Sequence, residues 1–250
     1  MGIKRLTSVL HYLFRSAPPW KWRLSQADCP NCGKSVFLSF APSPFMTRCL
    51  RCRANITNLS LIPVIAKHFQ NRGMNCVAYE LSTYGATLNY LRANFCEVVT
   101  SEYFPELELG VKHDGILNQD VQQLTFADAS FDLVTSNQVF EHVPDDILGF
   151  KECWRVLKEH GSLIFSVPLY NFSETRQIAI LGNGNIRWLG EPEYHDSRLG
   201  GSKSAPTFWH HSVKDILSRV KKAGFSHVEL VNVFVAQSQV VPSIVVRAVK

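Results

Sequence analysis

From about residue 57 onward, short apolar runs rich in Val and Ile alternate with segments whose apolar residues recur at helical spacing. Leu61–Arg72, Ala86–Ala93, Asp145–Leu157 and Val213–Ala223 read as helices, the first and last stopped by Gly73 and Gly224. Cys76–Tyr79, Glu97–Ser101, Gly115–Leu117, Phe131–Ser136 and Ser162–Val167 read as strands between them, and Val228–Val235 and Val241–Val249 as two consecutive strands at the end. Such alternation predicts an α/β fold: a mostly parallel sheet, covered by helices on both faces and closed by an antiparallel hairpin. Ligands of such sheets bind at the carboxyl ends of the strands, near the point where strand order reverses. Function is therefore sought just after the first four strands.

The chain has 250 residues, enough for a full α/β core and a small accessory module. That module announces itself in the cysteines. Four of the seven form two C-x-x-C pairs, Cys29-Pro-Asn-Cys32 and Cys49-Leu-Arg-Cys52, separated by 16 residues. This spacing reads as a zinc-ribbon-like tetrahedral site, and Gly33 permits the tight turn after the first pair. Four thiolates close the coordination shell, so the expected role of the zinc is structural. A redox dithiol explains one such pair but not two.

Three regions are expected: residues 1–25, a basic amphipathic helix and Pro-Pro-Trp linker; residues 26–56, the zinc-ribbon-like module; and residues 57–250, the α/β domain. The net charge is +5, and much of the excess lies before Asn55, in Arg23, Lys34, Arg48, Arg51, Arg53 and residues ahead of them. Residues 3–15 carry one apolar face, which either packs on the domain or touches a membrane surface. The stretch is short and broken at Pro18-Pro19, unlike a secretory signal. No apolar run reaches the ~18–20 residues needed to span a bilayer. A reducing cytoplasm is the expected compartment, which favours metal over disulfide for the paired cysteines.

The most informative stretch runs Phe131-Asp132-Leu133-Val134, then Glu141-His142-Val143-Pro144, then Arg155-Val156-Leu157-Lys158 and Gly161. It closely resembles the block between the fourth and fifth strands of class I, S-adenosylmethionine-dependent methyltransferases. Asp120-Val121-Gln122 resembles the acidic loop after that family's third strand. The resemblance covers about residues 74–168 and implies a Rossmann-like, seven-stranded domain that binds S-adenosylmethionine. It also implies roles. Glu102, after the second strand, would hold the ribose hydroxyls. Asp120 would accept the adenine amino group, with the Val121 N–H beside the ring. Asn137 and Gln138 would line the methionine end.

The first loop departs from the family. Glu80 fits the acid that opens it, but in Glu80-Leu81-Ser82-Thr83-Tyr84-Gly85-Ala86 only Gly85 remains of the usual glycines. Gly85 is the position left to bring backbone close to the cofactor. The run lacks the full G-x-G-x-x-G of a nicotinamide enzyme. His142 stands at the mouth of the expected site, as a general base or as a residue holding the loop. The connection Leu169–Phe208 is long for its place, and connections beyond ~15 residues are usually functional lids or disordered. Tyr194, His195, Trp209 and His210 are its candidates for the acceptor pocket, and a self-packed insertion is the alternative. The expected acceptor is a small molecule, a sugar or a lipid-linked group. Rival readings are a scaffold that has lost its cofactor, and a nucleic-acid methyltransferase guided by the ribbon. No interleaving of aromatic and basic residues favours the latter. Nothing in the sequence specifies an oligomeric state.

Overall fold

A computed structural model of the protein describes residues 19–250 except 71, 198, 199 and 238, so the apolar repeat of residues 3–15 lies outside the described residues. The front module is an antiparallel meander of β1 (Arg23–Cys29), β2 (Gly33–Ser39) and β3 (Thr47–Cys49). Gly33 has a φ of +77°, which lets the chain reverse so that Cys29 pairs with Gly33 across the turn. Asn55 then caps α1 (Ile56–Leu59), its Oδ1 accepting from the Asn58 N–H at 2.8 Å, and α2 (Leu61–Phe69) follows. The second helix ends at Phe69, before the Arg72 expected from the apolar pattern.

The main sheet begins with β4 (Val77–Glu80), α3 (Ala86–Asn94) and β5 (Glu97–Glu102). It continues through β6 (Lys112–His113), β7 (Ile116–Asn118), β8 (Phe131–Asn137), α4 (Asp146–Val156) and β9 (Leu157–Ser166). The long connection after β9 is built of short strands rather than open loop. They are β10 (Leu169–Tyr170), β11 (Arg176–Gln177), β12 (Ala179–Gly182), β13 (Asn185–Trp188), β14 (Tyr194–Ser197), β15 (Gly201–Pro206) and β16 (Trp209–Ser212). β12–β13 and β14–β15 are hairpins, and β16 lies between β10 and β11. Together they form a cap. The chain finishes with α5 (Ile216–Lys221), β17 (His227–Val233) and β18 (Ser243–Val249).

Strand order in the main sheet is β17-β18-β9-β8-β4-β5-β7-β6. The five strands from β7 to β9 are mutually parallel, while the β17–β18 pair joins β9 antiparallel, as the terminal hairpin predicted. The expected count of seven strands is corrected to eight. The extra strand, β6, folds back on β7 through Asp114-Gly115, both in the left-handed region at φ +50° and +80°. That pair suits the tight hairpin turns whose central residues both need positive φ.

Side chains alternate across the sheet. Ala78, Leu133, Ile164 and Val245 join a core containing α2, α3 and the ribbon residues Cys29, Phe37 and Cys49. Their neighbours Tyr79, Val134, Leu163, Phe165 and Val246 face the opposite core, with α4 and α5. Both faces are therefore covered, and the front module is part of one covering layer. Strand order reverses at β4, so the tips of β4, β5 and β8 frame a crevice.

Candidate active site and metal centres

The expected acids stand at those tips. Glu80 ends β4 and is 2% exposed, bonded to the Thr135 hydroxyl on β8. Burial pushes its carboxyl up to about 8, although the Thr135 bond pulls the other way. Glu102 ends β5, and its Oε1 accepts from the Thr83 N–H and the Thr83 hydroxyl, both at 2.7 Å. The first loop is thus clasped by the second strand's acid. Gly85, at φ +114° and ψ 172°, precedes α3, and a Cβ there would meet nothing within 4 Å. Its lack of a side chain serves backbone conformation, in a region open essentially to Gly alone. Asp120 Oδ1 accepts from the Gln122 N–H at 2.8 Å and so shapes its own turn.

Two cavities lie at these tips. One, of about 200 Å³, is lined by Glu102, Gln119 and Asp120 among apolar Leu81, Val121 and Val139. The other, of about 650 Å³, runs past Glu80, Gly85, Asn137 and Gln138 to Tyr194 and His195 of the cap. His142 lines both. Asn137 is held by Ser166, which donates to its Oδ1 at 2.8 Å, and donates in turn to the Thr57 carbonyl at 3.1 Å. Gln138 is strained into the left-handed region at φ +58°, with its N–H on the Ser166 carbonyl at 2.9 Å.

His142 sits in a 3₁₀ turn at Phe140–His142. Its Nδ1 lies 2.8 Å from the Pro206 carbonyl, so Nδ1 carries the hydrogen and Nε2 is left with a lone pair. Burial drives its pKa down to about 4, the Pro206 bond opposing. His195 Nδ1 approaches that Nε2 at 3.2 Å. Glu193 then links His195, 3.3 Å away, to His210 at 2.8 Å. Glu141, beside His142, is 1% exposed, and neither of its carboxylate oxygens has a hydrogen-bond partner. Burial pushes its carboxyl up to about 8. Tyr194 lines the larger cavity, whereas His210 stacks on Tyr170 behind it. Trp209 does not line either cavity: its Nε1–H donates to the Val143 carbonyl at 2.8 Å, and its ring carries the Arg219 guanidinium at 4.2 Å.

In the front module the sulfurs of Cys29, Cys32, Cys49 and Cys52 all lie within 4.8 Å of one another. Cys29 and Cys52 are 3.7 Å apart, Cys32 and Cys49 3.6 Å. Burial raises the Cys29 thiol and opposes ionisation of Cys49 as well. At Cys49, hydrogen bonds from Ser35 and from the N–H groups of Cys52 and Arg51 outweigh it and bring the thiol to about 6.

Residues 64–165 match the family model described as "Methyltransferase domain". With the acids at successive strand tips and the strand order above, that match decides the matter. The chain has the class I methyltransferase fold. Its fold is shared with the 1,6-didemethyltoxoflavin-N1-methyltransferase of Burkholderia thailandensis, solved with 1,6-didemethyltoxoflavin and S-adenosylhomocysteine bound. The two are 12% identical, with 78% of each chain covered and a TM-score of 0.52. An S-adenosylmethionine-dependent methyltransferase from Mesorhizobium loti is 17% identical, over 76% of this chain and 98% of its own, with a TM-score of 0.50. No curated protein sequence matches significantly.

Several residues lining the crevice were not anticipated from the sequence. Phe45 of the front module and Asn58 of α1 line the larger cavity, so the ribbon side of the protein supplies part of its wall. No local motif announces either. Glu193 was legible only as part of an acidic Glu-Pro-Glu run, and Glu141 as a member of the strand-four block.

Proposed function

We propose that this chain transfers a methyl group from S-adenosylmethionine to a small polar acceptor held beneath the cap. The observation that carries this reading is the pair of cavities with His142 in the lining of both, one framed by Glu102 and Asp120, the other opening under Tyr194 and His195. When bound, S-adenosylmethionine supplies a methyl group on a positively charged sulfonium and leaves as S-adenosylhomocysteine. The residues fit it. The smaller cavity pairs apolar walls for a flat base with two carboxylates for amino and hydroxyl groups, and Glu102 Oε2 makes no bond among the described residues. Glu102 would bind the ribose and Asp120 the adenine edge, with the Val121 N–H beside it. Gly85 and the start of α3 would bring backbone close to the methionine part. Asn137 and Gln138, fixed through Ser166, would set the floor on which donor and acceptor meet in line. His142, with Nδ1 committed to Pro206, would position the acceptor.

The four cysteines fit a structural zinc ion. Ligands ~2.3 Å from a tetrahedral zinc lie ~3.8 Å apart, close to the spacings seen here. Two C-x-x-C pairs that hold metal rather than disulfide suit a reducing compartment, and the cytoplasm is the proposed place of work. A small acceptor is favoured over nucleic acid because the larger cavity is walled by the cap. The Burkholderia enzyme, of the same fold, is likewise seen with a small heterocycle.

Calorimetric titration with S-adenosylhomocysteine tests the assignment. Wild type should bind, and Glu102→Ala and Asp120→Ala should each lose at least about tenfold, a loss on the order of 1.4 kcal/mol. Equal affinity in all three proteins would falsify the roles given to the two acids, and no binding by wild type at millimolar ligand would favour a scaffold without cofactor.

A further inference from the structure

We propose a second metal site, in which Glu141, His142 and His195 bind a divalent transition-metal ion in the wall shared by the two cavities. The argument begins with a carboxylate that makes no hydrogen bonds. Glu141 is 1% exposed, and both its oxygens are buried without a partner. Buried carboxylates are normally paired, hydrogen-bonded or bound to metal. Here the groups within reach are imidazole nitrogens. His142 Nε2 lies 3.7 Å from Glu141 Oε1 and 3.2 Å from His195 Nδ1, and one ligand atom from each residue falls within 4.8 Å of the other two. Ligands of an ion at bond lengths of ~2.0–2.2 Å are separated by such distances.

The outer contacts agree. A metal-binding histidine usually donates its remaining N–H to a carbonyl or a carboxylate, which fixes the ring. His142 Nδ1 faces the Pro206 carbonyl at 2.8 Å, leaving Nε2 free to ligate. His195 Nε2 faces Glu193 Oε1 at 3.3 Å, leaving Nδ1 free to ligate. Glu193 is held from its other oxygen by His210 Nε2 at 2.8 Å. With an ion present, every one of these nitrogens has a consistent role. Without one, the two inward nitrogens must share a hydrogen. If His195 Nδ1 supplies it, a neutral His195 turns the lone pair of Nε2 toward the Glu193 carboxylate.

The ligands come from two elements. Glu141 and His142 lie in the turn after β8, and His195 lies in the β14–β15 hairpin. The Phe208 N–H on the Glu141 carbonyl, at 2.8 Å, ties the cap to that turn. Two imidazoles and one carboxylate suit Fe²⁺, Co²⁺, Mn²⁺ or Zn²⁺ and leave coordination positions open. Those positions would face the larger cavity, where His142 and His195 form part of the lining. Resting on the proposed methyl transfer, the ligand expected there is an oxygen or nitrogen of the acceptor, so acceptors with a hydroxyl beside a second donor atom are favoured.

The test uses the full chain with zinc already loaded, titrated with Co²⁺ by calorimetry and absorption. The expected result is one Co²⁺ per chain beyond the zinc, without the thiolate charge-transfer band that cobalt in the ribbon would give. His195→Ala, which alters a partly exposed cap residue, should weaken this binding at least tenfold, and Glu193→Gln by 10- to 100-fold. Glu141→Gln should also weaken it. No Co²⁺ bound beyond the zinc at millimolar concentration, or wild-type binding by His195→Ala, would overturn the proposal. S-adenosylhomocysteine titrated into the same samples separates the two readings. Cobalt binding without nucleoside binding keeps the metal site and sinks the cofactor, and the converse sinks the metal site alone.

Discussion

Glu80 illustrates how one residue carries opposite demands. Its carboxyl is buried at the β4 tip and pushed up to about 8, so the folded protein holds a proton there that the unfolded chain releases near pH 4.5. The native state then binds more protons than the unfolded state across that window, and stability falls as pH rises from about 5 to 8. Glu80→Gln removes the titration. The variant should be more stable than wild type by ~2 kcal/mol at pH 8 and no more stable at pH 5, measured by denaturant unfolding at both pH values. Gly85 makes a second residue-scale prediction. At φ +114° an alanine is strained even though its methyl would meet no atom. Gly85→Ala should therefore cost ~1–3 kcal/mol of stability, by thermal or chemical unfolding, and weaken S-adenosylhomocysteine binding. An unchanged unfolding midpoint would show that the loop relaxes freely. The acids Glu80 and Glu102 were legible because each follows an apolar strand run. What they touch was not: the Thr83–Glu102 clasp joins residues whose proximity depends on β4 and β5 being neighbours.

At the scale of elements, the strands and helices of the sheet were readable because each carries a run long enough to show its period. The cap was not, because strands of two to six residues show no period of their own. Its Asn183-Gly184 turn, with φ +49° and +74°, was a local hairpin signal that could have been used, as was Asp114-Gly115 for β6. What anchors the cap comes from far apart in sequence. Asp146 at the start of α4 is fully buried, with His211 at 2.9 Å and both oxygens on the Arg219 guanidinium at 2.6 Å. Burial alone would raise its carboxyl, but the hydrogen bonds from His211 and Arg219 outweigh it and hold it below the ordinary range. Thus β16, α4 and α5 are locked by one carboxylate. Asp146→Asn should destabilise the protein by ~2–4 kcal/mol, since it leaves the partly buried Arg219 without its counter-charge. Equilibrium unfolding measures this, and a loss below ~1 kcal/mol would show that the network contributes little.

For the whole molecule, the front module behaves as a layer of the domain. Phe37, Cys29 and Cys49 share a core with Ile62 of α2 and Leu133 and Ile164 of the sheet. Removing the expected zinc should therefore lower the melting temperature of the entire chain in one transition. A separate early transition in a calorimetric scan after chelation would show the ribbon to be independent. The same continuity brings Phe45 and Asn58 to the larger cavity, which a reading of the ribbon as a separate binding module did not anticipate.

The central claim is that carboxylates at neighbouring strand tips hold a nucleoside whose sulfur faces the cavity beneath the cap. A crystal structure determined with S-adenosylhomocysteine tests it most directly. The account predicts the ribose hydroxyls on Glu102, the adenine beside Asp120 and Val121, and the sulfur turned toward His142. Electron density that leaves the crevice empty at millimolar nucleoside, or places the ligand away from the tips of β4 and β5, would contradict it.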